Sequence, residues 1–255
     1  MNIGVFDSGI GGLTVLKAFV RELPNYTYKY FGDNVNAPYG EKTSDEIYNL
    51  TIRGIEFLFS QNCSLVISAC NTASTVLPRI QQEWLPLHHP DKKVLGIIRP
   101  TAENMIMGND QKIYLMATPA TVKSKSYEKE LAKLGSSITV EPIACPGLAK
   151  AIEESGGKTT AHVVASIKSA LSNVGVLDVR YPIYLACTHY EFVEREIKIN
   201  FNGKIVHQSK MCANSLKKYL LKHESELGLI HQKDMRIMSS KEVSRFASVA
   251  RGFLT

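Results

Sequence analysis

The chain has no long hydrophobic run, no closely spaced cysteine pair and no basic N-terminus, and each absence removes a class of protein. Its longest charge-free stretch, Phe57 to Pro78, carries Ser60, Gln61, Asn62, Ser64, Ser68, Asn71, Thr72, Ser74 and Thr75. That is too polar for a transmembrane span. No basic residue precedes Lys17, so no secretory signal is expected and a cytoplasmic location is. The five cysteines (Cys63, Cys70, Cys145, Cys187 and Cys212) are an odd set in a chain of 255 residues. Free thiols are therefore expected rather than a disulfide framework. No Cys-x-x-Cys occurs, and structural zinc sites usually show such spacing. No metal is expected, although Cys70, Cys187, His189 and Asp7 are ligand types. Nothing in the sequence places Cys70 and Cys187 within bonding distance as a redox pair. Glycine (17) and proline (10) are near average, against a collagen-like or low-complexity chain.

What is present is the composition of an ordinary globular protein, 44% hydrophobic and 21% charged. At ~150 residues per domain, the length suggests one or two domains. The net charge is +6, but the basic residues are scattered, with mild clusters at Lys123/Lys125 and Lys217/Lys218/Lys222. These read as solvated helix faces rather than a nucleic-acid patch. A basic surface weakly favours an anionic small substrate.

Short apolar runs alternate with amphipathic stretches. Strands are expected at Asn2–Asp7, Thr27–Phe31, Leu65–Ala69, Val94–Ile98, Lys112–Ala117, Ile138–Ala144, Pro182–Ala186, Lys204–His207 and Met235–Met238. Helices are expected near Gly12–Glu22, Ser44–Ser60, Thr72–Glu83, Ser124–Leu134, Gly147–Glu154, Thr160–Ser172, Cys212–His223 and Lys241–Gly252. Continuously apolar strands separated by helices indicate parallel sheets covered on both faces, an α/β class. The segment Arg99-Pro100-Thr101 is a candidate division. Strands ending in Ala69-Cys70 and Ala186-Cys187 look alike across it, a hint of internal duplication, although Ala144-Cys145 ends the same way.

Ligands of open α/β sheets bind at the carboxyl ends of strands, so the residues there matter most. Asp7-Ser8-Gly9-Ile10-Gly11-Gly12 follows the first strand. It lacks the third glycine of a dinucleotide loop and puts a carboxylate where a pyrophosphate would sit, so nucleotide binding is rejected. Its glycines are expected to bring backbone close to a small ligand. Asp7 is either a helix cap or, with Ser8 as the cap, a free carboxylate. Pro38-Tyr39-Gly40 is a turn carrying a phenol. Cys70 precedes a helix, where a thiol pKa can be lowered. His189 stands two residues from Cys187, near enough to act on it. Cys63 and Cys212 read as packing, and Cys145 is ambiguous. Two thiols at two strand ends, each with a helper, suggest stereoinversion at a carbon, one removing a proton and the other giving one to the opposite face. Ser8, Asn71, Thr72 and Thr188 suit an amino-acid zwitterion. No lysine stands in these motifs to form a Schiff base.

Four segments together resemble the glutamate racemases of the cofactor-independent aspartate/glutamate racemase family. They are Val5-Phe6-Asp7-Ser8-Gly9-x-Gly11-Gly12-Leu13-Thr14-Val15-Leu16, Gly32-Asp33-x4-Pro38-Tyr39-Gly40, Ala69-Cys70-Asn71-Thr72-Ala73-Ser74 and Cys187-Thr188-His189-Tyr190. The resemblance spans nearly the whole chain. It implies two pseudo-symmetric α/β domains, 1–98 with 209–255 and 99–208, with the active site in the cleft between them. It implies no cofactor, glutamate as substrate, and D-glutamate delivered to peptidoglycan. A homodimer is compatible with it; membrane or nucleic-acid partners are not expected. Cys70 and Cys187 would be the two bases, with Asp7 assisting Cys70, and His189 with Glu153 assisting Cys187. Asp7, Ser8, Pro38, Tyr39, Gly40, Asn71, Thr72, Thr118, Thr121, Thr188 and His189 would hold substrate. The competing expectations are a racemase of aspartate or another acidic amino acid, and a catalytically weak binding paralogue.

The chain departs from the family pattern at several points. Ala117 stands where glycine is expected before Thr118, Arg99 where glutamate is usual, and Glu191 where proline follows Tyr190. Gln208 replaces a common aspartate, and Ser239-Ser240-Lys241 a Ser-Gly-Asp-like turn. Arg99 is expected at a strand end near the domain junction, buried, with Glu191 as its partner.

Overall fold

A computed structural model describes residues 2–229, 232–241, 246 and 249–252. The described strands are β1 (Asn2–Asp7), β2 (Thr27–Gly32), β3 (Cys63–Ser68), β4 (Lys93–Gly96), β5 (Lys112–Ala117), β6 (Thr139–Ala144), β7 (Ile183–Ala186), β8 (Ile205–Val206) and β9 (Asp234–Ser239). They form two sheets, ordered β4-β3-β1-β2-β9 and β6-β5-β7-β8, and every pairing is parallel.

Between the strands lie α1 (Leu13–Glu22), α2 (Ser44–Ser60), α3 (Asn71–Ser74), α4 (Leu77–Arg79), α5 (Leu85–His88), α6 (Ile98–Met107), α7 (Pro119–Ser124), α8 (Ser126–Lys133), α9 (Leu148–Ser155), α10 (Ala161–Ser172), α11 (Glu194–Asn200) and α12 (Ser209–Leu227). Both faces of each sheet are covered, which explains the unbroken apolar runs. Ile3 and Val5 point into a core shared with α1 and α12, while Phe6 points the other way, into a core with α2. In the second sheet Tyr114 and Met116 face α9 and α10, whereas Ile113 and Leu115 face α6 and α8. Truncating the fully buried Phe6 to alanine costs about 3–5 kcal/mol by analogy with other cores. Among the described residues no helix is long and apolar enough to cross a membrane.

The chain leaves the first sheet after β4 through α6, and returns after β8 through α12, which packs on α1 and α6. Helix α6 was not anticipated. Its Pro100 stands in the first turn, where the missing N–H breaks no intrahelical bond, so Arg99-Pro100-Thr101 starts a helix instead of ending a strand. The strand expected at Val94–Ile98 accordingly stops at Gly96. The helix expected at Thr72–Glu83 is broken into α3, α4 and a π turn (Ile80–Trp84), with Pro78 and Pro86 in the first turns of α4 and α5. Ser124–Leu134 is interrupted by Lys125, whose φ is 52°. Helix α11, and a 3-10 turn over Thr188–Val193, were likewise missed. The helix expected at Lys241–Gly252 falls largely outside the described residues.

Candidate active site

Strand order decides which loops meet. Because β1 and β3 are neighbours, Asp7 and Ser8 emerge beside Cys70; because β5 and β7 are neighbours, Thr118 emerges beside Cys187. Three contacts tie these carboxyl edges together across the two sheets. Thr188 Oγ1 donates to Asp7 Oδ2 at 3.1 Å, Thr72 and Thr118 share a hydroxyl hydrogen bond of 2.9 Å, and Ile10 N–H donates to Glu153 Oε2 at 3.0 Å.

All five cysteines are free and buried. Cys70 ends the first strand pair as the N-cap of α3: its Sγ accepts Ala73 N–H at 3.4 Å and lies 3.5 Å from Ser8 Oγ. Those bonds favour a thiolate, as the sequence suggests. Burial and the charge of Asp7 outweigh them and push the thiol up to about 12, so Cys70 rests as a protonated donor. Asp7 therefore acts on Cys70 through its charge, with Ser8 making the direct contact.

Cys187 faces a different partner. Its Sγ lies 3.8 Å from His189 Nδ1, and His189 Nε2 lies 2.6 Å from Glu153 Oε2. Burial opposes a charged imidazole, but the contacts with Cys187 and Glu153 prevail and hold His189 well above its ordinary range. Burial would likewise raise Glu153. Its bond and charge contact with His189, the Ile10 N–H and the amide of Asn34 keep it low instead. The pair is thus an imidazolium on a carboxylate, aimed at the Cys187 sulfur.

Asp7 is not a helix cap. Gly12 is the N-cap of α1, without a side-chain bond, and Asp7 Oδ1 instead accepts Gly9 N–H at 2.9 Å. Burial raises Asp7 to about 6 despite the nearby His189, so it can change protonation near neutrality. The glycine loop passes close to protein side chains of the site. A Cβ on Gly9 would lie 2.2 Å from Glu153 Oε2, and one on Gly11 would lie 2.3 Å from Thr188 Oγ1 and 2.6 Å from His189 Nδ1. Only glycine lets this backbone pass so close to the acid–histidine pair.

The other expected residues fall into three groups. Thr72, Thr118 and Thr121 form a buried hydroxyl cluster joining the halves, with Thr118 to Thr121 at 3.0 Å. In the Pro38-Tyr39-Gly40 turn the Tyr39 phenol is committed to Asp33 Oδ2 at 2.7 Å, and Gly40 C=O accepts Ala120 N–H at 2.8 Å. The Asn71 amide is held by Gln208, with Nδ2 donating to Oε1 at 2.6 Å.

Three participants escaped sequence reasoning. Asn34 Nδ2 donates to Glu153 Oε1 at 2.6 Å, and its Oδ1 accepts from Ser239 at 2.7 Å. Tyr30 Oη pins the glycine loop at Gly9 C=O, 2.6 Å away. Gln208 is buried against Asn71. The usable signals were a polar residue just past a strand end for Asn34, and Gln208 itself as a departure from pattern. Arg99 is corrected: it lies on α6 with its side chain 60% exposed, paired with Glu103 at 3.1 Å and Glu130 at 2.9 Å. It borders a cavity of about 1150 Å³ that includes neither Cys70 nor Cys187. Glu191, expected as its partner, instead binds the start of α12.

Residues 3–214 match the model of the family described as Asp/Glu/hydantoin racemase. The chain belongs to this racemase family. A glutamate racemase from Dinoroseobacter shibae is 38% identical over 247 residues, covering 90% of this chain and 87% of the relative. A glutamate racemase isoform from Bacillus anthracis superposes with a TM-score of 0.84 at 31% identity, covering 99% of this chain and 93% of the other. The glutamate racemase from Francisella tularensis in complex with D-glutamate gives 0.83 at 30% identity, with 99% and 93% covered.

Proposed function

We propose that this chain is a glutamate racemase, interconverting L- and D-glutamate by two cysteines without a cofactor. The observation that carries the reading is the asymmetry of the two thiols. Cys70 sits with Ser8 and Asp7, and Cys187 with His189 and Glu153, at the carboxyl ends of two separate sheets. In the L-to-D direction Cys187 acts as a thiolate beside the His189 imidazolium, takes the Cα proton of L-glutamate and becomes a thiol. Cys70, which rests as a thiol, gives its proton to the opposite face of Cα. The D-to-L direction reverses both transfers. Asp7, near neutrality in its titration, assists recovery of Cys70.

In this reading the domains are 1–98 with 209–255 and 99–208, and the substrate lies between them. Ser8, Thr72, Thr118, Thr121 and Thr188 supply hydroxyls to the ammonium and carboxylates, and Pro38-Tyr39-Gly40 and Asn71-Thr72 shape the walls. The enzyme works in the cytoplasm, and its product enters peptidoglycan.

The test is incubation with L-glutamate in D2O, reading enantiomer composition and Cα deuterium together, with and without EDTA and without pyridoxal phosphate. Cys70→Ser and Cys187→Ser should each nearly abolish racemisation. A 3-chloro analogue of glutamate needs only abstraction at Cα, with loss of chloride from Cβ. Cys70→Ser should retain elimination from the L-analogue and lose it from the D-analogue, and Cys187→Ser the reverse. Equal loss of both enantiomers in both variants would refute the two-base assignment.

A further inference from the structure

Two departures from the family pattern, Glu191 and Gln208, meet in the structure. Glu191 lies two residues after His189, its side chain 10% exposed, and its Oε1 accepts both Gln208 N–H at 3.1 Å and Ser209 N–H at 3.2 Å. It thereby holds the first amides of α12, a favoured place for a carboxylate. His207 flanks the other oxygen at 3.8 Å. The Gln208 side chain is 1% exposed and turns to the opposite side. Its Oε1 accepts Asn71 Nδ2 at 2.6 Å; its Nε2 has two hydrogens to share among Asn71 Oδ1 at 3.1 Å, Thr101 Oγ1 at 3.0 Å and Tyr127 Oη at 2.5 Å.

Asn71 directly follows Cys70, and Glu191 belongs to the same 3-10 turn as His189. An unbroken path of hydrogen bonds therefore runs from the Cys70 turn, through the Gln208 side chain and backbone, to the turn after Cys187. It passes through both places where the chain crosses between the sheets: Thr101 is on α6, the outward crossing, and Gln208 opens α12, the return. Apart from the α12 amides, every group in the path belongs to a side chain, so the Gln208 side chain sets the span between the two turns.

We propose that Glu191 and Gln208 are positioning residues that set the turn bearing Cys70 relative to the turn bearing Cys187. This rests on the two-cysteine reading above. Two-base racemisation needs both sulfurs at their places on opposite faces of one carbon, whereas elimination from the 3-chloro analogue needs only one. Misplacement of about 1 Å can cost ~100-fold in a geometrically demanding step.

The experiment compares wild type, Gln208→Met, Glu191→Ala and Glu191→Gln for racemisation of glutamate and for elimination from both 3-chloro enantiomers, with thermal melts of each. Gln208→Met and Glu191→Ala should lower kcat for racemisation by about 10- to 100-fold, further than elimination from at least one enantiomer. Glu191→Gln keeps an acceptor oxygen for α12 and should restore most of the rate. If Gln208→Met does not fold, Glu191→Ala and its rescue carry the comparison. Racemisation that is unchanged, or that falls by the same factor as both eliminations, overturns the proposal. A wild type that leaves L-glutamate untouched overturns the two-cysteine reading itself, and this proposal with it.

Discussion

His189 Nε2 lies 2.6 Å from Glu153 Oε2, and that same oxygen accepts the backbone N–H of Ile10. The pair is therefore made by three segments: the 3-10 turn after β7, helix α9, and the glycine loop after β1. Glu153 does two jobs at once. It holds the imidazole charged and in line with Cys187, and it anchors the loop that carries Asp7 and Ser8 to Cys70.

Replacing Glu153 by Gln removes the charge that keeps His189 high. The folded-state pKa of His189 should fall toward its ordinary value, so any step that needs the imidazolium is lost at lower pH than in the wild type. The pH profile of kcat from L-glutamate should show its alkaline limb moved to lower pH, with a rate loss of about 10²-fold or more near neutrality. An unmoved limb would separate Glu153 from His189. The same contacts predict that the stabilisation from His189 is complete below its unfolded pKa of ~6.5 and is lost as pH rises through its raised folded value.

Asp7 changes stability in the same direction with pH, but in a lower window. Its pKa is raised to about 6 by burial, so ionising it costs the fold stability that grows as pH climbs from its unfolded value toward 6. Asp7→Asn should stabilise the protein at pH 8, by at most roughly 3 kcal/mol, and do little at pH 4. Racemisation should fall at the same time. Denaturant unfolding at the two pH values checks the first part, and a variant less stable at pH 8 than the wild type contradicts it.

Gly11→Ala places a Cβ 2.3 Å from Thr188 Oγ1 and 2.6 Å from His189 Nδ1. Both side chains are held by bonds to Asp7 and Glu153, so neither can retreat without breaking one. The variant should fold with a loss of about 1–3 kcal/mol and lose kcat disproportionately. Activity retained at wild-type level would show that the loop can shift away from His189.

Arg99→Ala removes two exposed ion pairs, to Glu103 and Glu130, on a helix outside the thiol site. Stability should change by about 0.2–1 kcal/mol, and the ratio of activity on glutamate to that on aspartate should stay constant. A switch of preference measured over a panel of acidic amino acids would assign Arg99 a role that its position does not suggest.

Much of this protein is written locally. The apolar runs of β1, β3, β5 and β7 could only be strands covered on both sides, and the cysteines that end two of them could be read as chemistry because strand ends are where such sheets bind ligands. Local rules also misled. Pro100 looked like a break and is a helix start, and Cys70 before a helix looked like an activated thiolate. The Ala73 N–H of α3 does point at its sulfur, but burial and the Asp7 charge are larger, and burial is a property of the whole fold. Sequence alone determined the α/β class, the residue types of the site and their placement after strands. Only the tertiary structure decided that Glu153 meets His189, that Asn34 supports them, that Arg99 is exposed, and that Gln208 joins Asn71 to Glu191. Those pairings span 17 to 137 positions of sequence or depend on which strands are neighbours, and no periodicity or spacing encodes a contact that arises when two sheets are folded against each other.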